Sequence, residues 1–285
     1  MSTIVKISNG KFTAEISSMG AQLLKFNDGK TEYMWQADEA VWGFTAPVLF
    51  PICGRPHGGV IKYKDKQYEM AQHGFARFKE FEIEEQTETK VCFLLVSNVE
   101  TREVYPFDFE FRVIFELVEN KLNITYSVKN ITDGKMYFSF GGHEGFATPE
   151  GAEEYDIKFE NDTKLTRLML TDGFLDGKTE EIVLDEQRMA LKYSEFERCT
   201  YIFRNINSES VVLEHKNGSR KLRVGFPGHL ALAIWTLTAR NYVCIEPWCG
   251  ISENESFAGD ITEKDGIVEL EKSGIFERTH YIEAL

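Results

Sequence analysis

The sequence predicts an all-β protein, a large antiparallel β-sandwich, and three observations carry that expectation. Aromatic residues make up 13% of the chain and Phe alone contributes 22, a composition suited to pleated, half-buried surfaces. Short runs of alternating apolar and polar residues recur from end to end, separated by turn chemistry. Helical periodicity is scarce, and no repeat of fixed period appears.

The elements follow in order. "TIVKI", "SNG" and "KFTAEIS" read as strand, turn and strand, and "AQLLKFN", "DGK" and "TEYMWQ" repeat the pattern. Asn-Gly and Asp-Gly supply the positive φ angles that tight hairpins need. "FEIEEQT", "KVCFLLVSN", "FDFEFRVIFELVEN" and "KLNITYSVKNIT" read as a long antiparallel meander, followed by "MYFSFGGHEGF" and "YDIKFEN". Later strands are "CTYIFRNI", "SVVLEHKN", "KLRVGF", "HLALAIWTL", "YVCIEPW" and "GIVELEKSGIFERTHYIEA". The segment "YSEFERC", 193–199, offers a turn or two of helix.

The chain has 285 residues, 42% of them hydrophobic, with no Pro/Ser/Gly run, low-complexity tract or block of like charge. That predicts one domain spanning 1–285. A net charge of −14, from 46 acidic and 32 basic residues, argues against a nucleic-acid surface and against an anionic membrane. Five scattered cysteines form no C-x-x-C pair, so neither a zinc site nor a redox motif is expected. "MSTIVKISNGK" lacks a charged n-region and apolar h-region, and "HLALAIWTL" is too short to span a bilayer. These readings predict a reduced, cytoplasmic protein.

Several familiar motifs nearly occur. "HEGFA" has Ala147 where a zinc-binding H-E-x-x-H needs its second His, and "FSFGG" has Tyr137 where a nucleophile elbow needs Gly. "GKT" at 177–179 lacks the upstream glycine of a phosphate loop, and no dinucleotide fingerprint is present. The expected chemistry needs neither metal nor cofactor. What remains are polar side chains at the ends of apolar runs, in "PVLFPICGRPHGG", "QHGFARF", "FSFGGHEGF" and "CIEPWCG". Glu246 stands out because an ionised carboxylate inside an apolar strand is costly unless it is paired or used. Its bland explanation is an ion pair with Arg55 or Arg77. His143 and His73 are either turn or core histidines or, with Glu246, the parts of a general acid–base site. His57, His215, His229 and His280 read as surface or core filler. A Trp beside a polar cleft is core, or a sugar platform.

Taken together and in this order, "GAQLLKF", "APVLFPICGR", "QHGFARF", "FGGHEGF" and "IEPWCG" resemble the aldose 1-epimerase (galactose mutarotase) family, most closely its LacX-like branch. The resemblance runs from about Ile4 to Ile275. It implies a β-supersandwich with an open cleft, a small-molecule sugar substrate and no cofactor. It assigns the base to Glu246 and the acid to His143, and contacts with sugar oxygens to Arg55 and His73. The galactose mutarotases also hold sugar hydroxyls with an aspartate upstream of the base. This chain has no Asp or Glu between Gly225 and Ile245, where Trp235 is the distinctive residue. Two other readings are a hexose-phosphate mutarotase, with Arg77 holding phosphate, and a non-catalytic sugar-binding protein. A chain at −14 repels anions at long range, so a phosphosugar would need local cations, and only Arg55, His57 and Arg77 offer them. Arg77 lies four residues past His73; on an extended strand both would face one way, about 13 Å apart. Its alternative is a surface pair with Glu80 or Glu82.

Overall fold

In the computed structural model, which describes residues 2–285, the alternation seen in the sequence becomes burial. Along Phe109–Val118, Phe109, Phe111, Val113, Phe115 and Leu117 turn inward while their neighbours face out. Each fully buried Phe of this kind contributes about 1.5–3 kcal/mol through the hydrophobic effect.

Two large sheets pack face to face, and all pairings within them are antiparallel. The nine-stranded sheet contains the expected meander, Glu82–Gln86, Lys90–Val96, Phe109–Val118 and Lys121–Asn130, continued by Ile275–Ala284. The seven-stranded sheet is built around Tyr242–Cys249, which pairs with Phe140–Gly141 and Glu144–Ala147 on one side and Ala231–Trp235 on the other. Tyr201–Arg204, Lys164–Thr171 and Phe174–Val183 complete it. No helix among the described residues is long and apolar enough to cross a membrane.

The strand Tyr242–Cys249 is buried along its whole length because both of its faces are covered. Val243 and Ile245 join the core between the sheets, while Tyr242 and Cys244 pack with Trp35 and Trp248 packs with Ala231 and Ala233 on the opposite face. Strand alternation therefore places Glu246 on the face away from the inter-sheet core.

The structure differs from the sequence expectation in a few segments. "TEYMWQ" forms no strand and makes only isolated bridges, Asn27 with Glu32 and Met34 with Phe146. The reason is local: the Glu32 carboxylate accepts from the backbone N–H groups of Phe26 (3.0 Å) and Met34 (2.9 Å), which diverts donors from a ladder. Lys164–Thr171 and Phe174–Val183 form an unanticipated hairpin across Asp172-Gly173, both with positive φ. Val60–Tyr63 and Lys66–Glu69 form another across Lys64-Asp65. Helix Tyr193–Arg198 lies where expected, while Val99–Val104, fixed by a capping box between Asn98 and Thr101, is additional.

Candidate active site

The outer face of the seven-stranded sheet carries a cleft of about 310 Å³. Its floor is made by alternation. Ala233 lies opposite Glu246, and Ala231 opposite Trp248, so small residues leave space above the strands. Glu144 pairs with Ile245 and shares its inward face, where its carboxylate lies 2.8 Å from His280 Nε2 on the other sheet. His143, one residue earlier, therefore points the other way and lines the cleft with Glu246.

His143 Nε2 lies 3.4 Å from Glu246 Oε2, and both side chains are almost completely buried. This is the only ion-pair partner found for Glu246 among the described residues, so the alternative of a structural pair with Arg55 or Arg77 does not hold. Burial holds the Glu246 carboxyl well above its usual range, and the nearby Glu144 carboxylate adds to the effect. Burial also pushes the His143 imidazole down to about 3, assisted by the Arg77 cation. Burial thus disfavours the charged form of each group.

His73 comes from a turn in the left-handed region, φ 63°, after which Ala76–Phe78 forms a short 3₁₀ turn. The extended-strand geometry anticipated for His73 and Arg77 is therefore replaced by a turn, yet both side chains line the cleft. Gly54 N–H donates to His73 Nδ1 at 3.2 Å, the Gln72 side-chain amide nitrogen lies 3.2 Å from Nε2, and burial holds the imidazole well below its ordinary range. Gly54 has φ +81°, and a Cβ there would come within 2.6 Å of the Ser252 backbone. Only glycine permits that approach.

Arg77 does not pair with Glu80 or Glu82. Its guanidinium donates to the Gln72 carbonyl (2.9 Å) and stacks near Phe44 and Phe78, at 5.3 and 4.8 Å. Arg55 lies at the exposed rim, 5.8 Å from the Phe174 ring. His57 is not in the cleft; it stacks on Phe174 at 3.8 Å and its Nε2 meets the Asn254 carbonyl at 2.9 Å. Among the described residues, Glu246 is the only carboxyl side chain lining the cleft.

Trp235 stands edge-on to His143, with centroids 5.8 Å apart. Sequence reasoning missed Trp42, whose ring lies 5.1 Å from His143 and 5.6 Å from Trp235. Its seat depends on Gly145, where a Cβ would lie 2.7 Å from the Trp42 ring. Gln72, Thr200 and Ser252 were missed as well. His143, Cys244 and Glu246 offer donor atoms within 4.8 Å of one another, the one group of this kind among the described residues.

A neutral imidazole and a neutral carboxyl side by side on the floor of an aromatic-walled cleft are equipped to pass protons to and from a bound polyol. The sequence profile described as aldose 1-epimerase matches residues 3–263. The chain belongs to the aldose 1-epimerase family. Members of this family are sugar isomerases, so its substrate is a small-molecule sugar. The plasmid-encoded LacX protein of Lactococcus lactis subsp. lactis is 29% identical over 282 residues, covering 93% of this chain and 94% of that protein. A galactose mutarotase related enzyme from Lactobacillus acidophilus superposes with a TM-score of 0.95 at 34% identity, covering 99% of this chain and 97% of that one. A galactose mutarotase-like protein from Lactobacillus casei ATCC 334 superposes at 0.93 with 24% identity, over 99% and 100% of the two chains, a likeness of fold.

Proposed function

We propose that this protein acts as a single-domain, cofactor-independent aldose 1-epimerase that interconverts the α and β anomers of a hexose. The observation that carries the reading is the 3.4 Å approach of His143 Nε2 to Glu246 Oε2 on the cleft floor. Ring opening removes the proton from the C1 hydroxyl and adds one to the ring oxygen while the C1–O5 bond breaks. Rotation about C1–C2 presents the other carbonyl face, and closure returns both protons.

One acid and one base suffice, and the pair holds one proton. The family resemblance starts with the proton on His143 and Glu246 as base. Burial favours the mirror start, with the carboxyl giving and the imidazole taking. The two differ only in where the same proton begins, and either completes the cycle. His73 and the Arg55 guanidinium would contact sugar oxygens, and Trp235 and Trp42 would present ring faces or edges to the pyranose. Five free thiols suit a reducing, cytoplasmic setting.

A second reading is favoured by one observation. Arg77, half-buried at the cleft, has no carboxylate partner among the described residues, and neither does Arg55. Two uncompensated guanidiniums beside a sugar pocket suit a phosphorylated hexose. The test is anomer exchange followed by NMR or polarimetry on glucose, galactose and their 6-phosphates. Exchange on any of them supports an epimerase and ranks the substrates. Binding without exchange of any sugar by folded protein would reduce the chain to a carbohydrate binder.

A further inference from the structure

The epimerase chemistry leaves one buried group at the cleft without a task. Cys244 lies two residues before Glu246 on the same strand face and opposite Trp235, with no exposed surface. We propose that Cys244, His143 and Glu246 form a binding site for a thiophilic divalent cation of the zinc type, and that the bound ion silences the cleft. The silencing rests on the function proposed above; the binding does not.

Geometry supports the site first. One donor atom from each residue lies within 4.8 Å of the other two. Glu246 Oε2 is buried without a hydrogen-bond partner, an unusual state for a buried polar atom. The 3.4 Å between it and His143 Nε2 is long for a hydrogen bond. It does match the edge of a tetrahedron whose centre lies about 2.0–2.2 Å from nitrogen and oxygen ligands. The sulfur lies within 4.8 Å of both other donors and would close to about 3.6 Å of each on binding.

Chemistry points to the class of ion. Thiolate, imidazole and carboxylate form a donor set that zinc accepts, whereas magnesium and calcium prefer oxygen alone. Three protein ligands would leave a fourth position, and two of the three, His143 and Glu246, line the cleft. Charge balances as well. The ion brings two positive charges, and a coordinating thiolate and carboxylate together carry two negative ones. The buried cluster stays neutral, which avoids the cost of burying uncompensated charge. An ion held there occupies both proton-transfer groups, so turnover must stop.

The test titrates the purified, metal-free protein with cobalt(II), whose thiolate complexes show a sulfur-to-metal charge-transfer band. One equivalent should raise that band in the native protein, and zinc should abolish it by displacement. Cys244→Ala, and Cys244→Ser should the alanine variant fold poorly, should lose the band while keeping the native circular dichroism spectrum. Zinc should inhibit anomer exchange in the native protein, and a chelator should restore it. Loss of an outer-shell partner already costs 10–100-fold in metal affinity, so removing the thiol should raise the half-inhibiting zinc concentration at least about tenfold. Cys244→Ala should retain basal turnover. Absence of the band in the native protein, or its persistence in a folded Cys244 variant, overturns the site. Equal zinc sensitivity in native protein and Cys244→Ala does the same. A cobalt band in a protein without epimerase activity upholds the site and sinks the proposed function instead.

Discussion

Glu246→Gln offers a direct test of the electrostatics of the cleft floor, because glutamine closely copies the neutral carboxyl. Burial holds the native carboxyl well above the ordinary carboxylate range, so folded protein keeps this proton over a pH range in which unfolded chain releases it. The sign follows from linkage. In that range the native state binds more protons than the unfolded state, so this group's contribution is fully present below the unfolded pKa and falls as pH rises through the folded one. The slope for one proton is at most about 1.4 kcal/mol per pH unit. Glutamine has no proton to lose and contributes no slope. His143, lowered by burial, has the opposite dependence, gaining stability as pH rises toward its unfolded value, but it is present in both proteins and largely cancels in the difference. Glu246→Gln should therefore match the native protein near pH 4 and become progressively more stable above about pH 5, approaching that slope until the native carboxyl ionises. The assay is urea unfolding of both proteins, with a chelator present, at half-unit steps from about pH 4 to pH 8. A stability difference that does not change with pH would mean that Glu246 titrates normally in the folded state. The account of the buried, protonated carboxyl would then be wrong.

The same substitution should abolish most activity: Glu246→Gln and His143→Asn should each lower kcat at least about a hundredfold in folded protein, read by anomer exchange, because each removes one proton-transfer group. Because the His143 imidazole is pushed down to about 3, kcat/KM for the native protein should hold on the acid side well below the usual imidazole range; the alkaline limb should appear as the Glu246 carboxyl ionises above the ordinary carboxylate range. Chelators should leave the activity of metal-free protein unchanged, and no nucleotide should be required; loss on chelation with recovery on one metal would reassign the histidines. Free aldohexoses should exceed their 6-phosphates in kcat/KM; a tenfold advantage for the phosphates, about 1.4 kcal/mol in transition-state binding, that disappears in Arg77→Ala would install the phosphosugar reading.

How much of this was legible depended on whether the signal was local. The meander from Glu82 to Asn130 could be read because each strand declares its own inward face, Phe109, Phe111 and Phe115 among them. Glu246 was visible for the same reason, a charge interrupting an apolar run. Its partner could be proposed only through the ordered motifs, since "GGHEGF" lies about a hundred residues upstream and only the antiparallel register of Glu144 with Ile245 brings it alongside. Trp42 was not legible. It arrives on an irregular loop without periodicity, and the sole trace of its position is Gly145 on a neighbouring strand, which has to be small to admit the ring. The Glu144–His280 contact, 136 residues apart in sequence, had no local signature at all. The hairpin at Asp172-Gly173 is the opposite case: its turn pair was present in the sequence, and the largely unburied character of both its strands, the second of them polar, hid it.

The charge of the substrate is a question the net charge of −14 does not decide. Exposed charges more than about 8 Å away are largely screened at physiological ionic strength, so the distant carboxylates that set the total have little effect inside the cleft. The local inventory is different. Three cations were within the site motifs, and His57 has left the cleft to stack on Phe174. Arg55 and Arg77 remain, beside a single carboxyl whose ionisation burial disfavours. The Arg77 guanidinium is held by a carbonyl and two aromatic rings, none of which neutralises it, and its own burial lowers its pKa. A half-buried cation without a counter-charge is a cost that an anionic substrate would relieve. Against this, the Gln72 carbonyl and the faces of Phe44 and Phe78 already satisfy part of the guanidinium, and a neutral hexose needs only the polar contacts that Arg55 and His73 provide. These opposing terms act at one residue, so Arg77→Ala separates them: it should leave turnover of free hexose nearly unchanged if the arginine is a wall of the cleft, and should erase discrimination between free and phosphorylated sugar if it is the phosphate's partner.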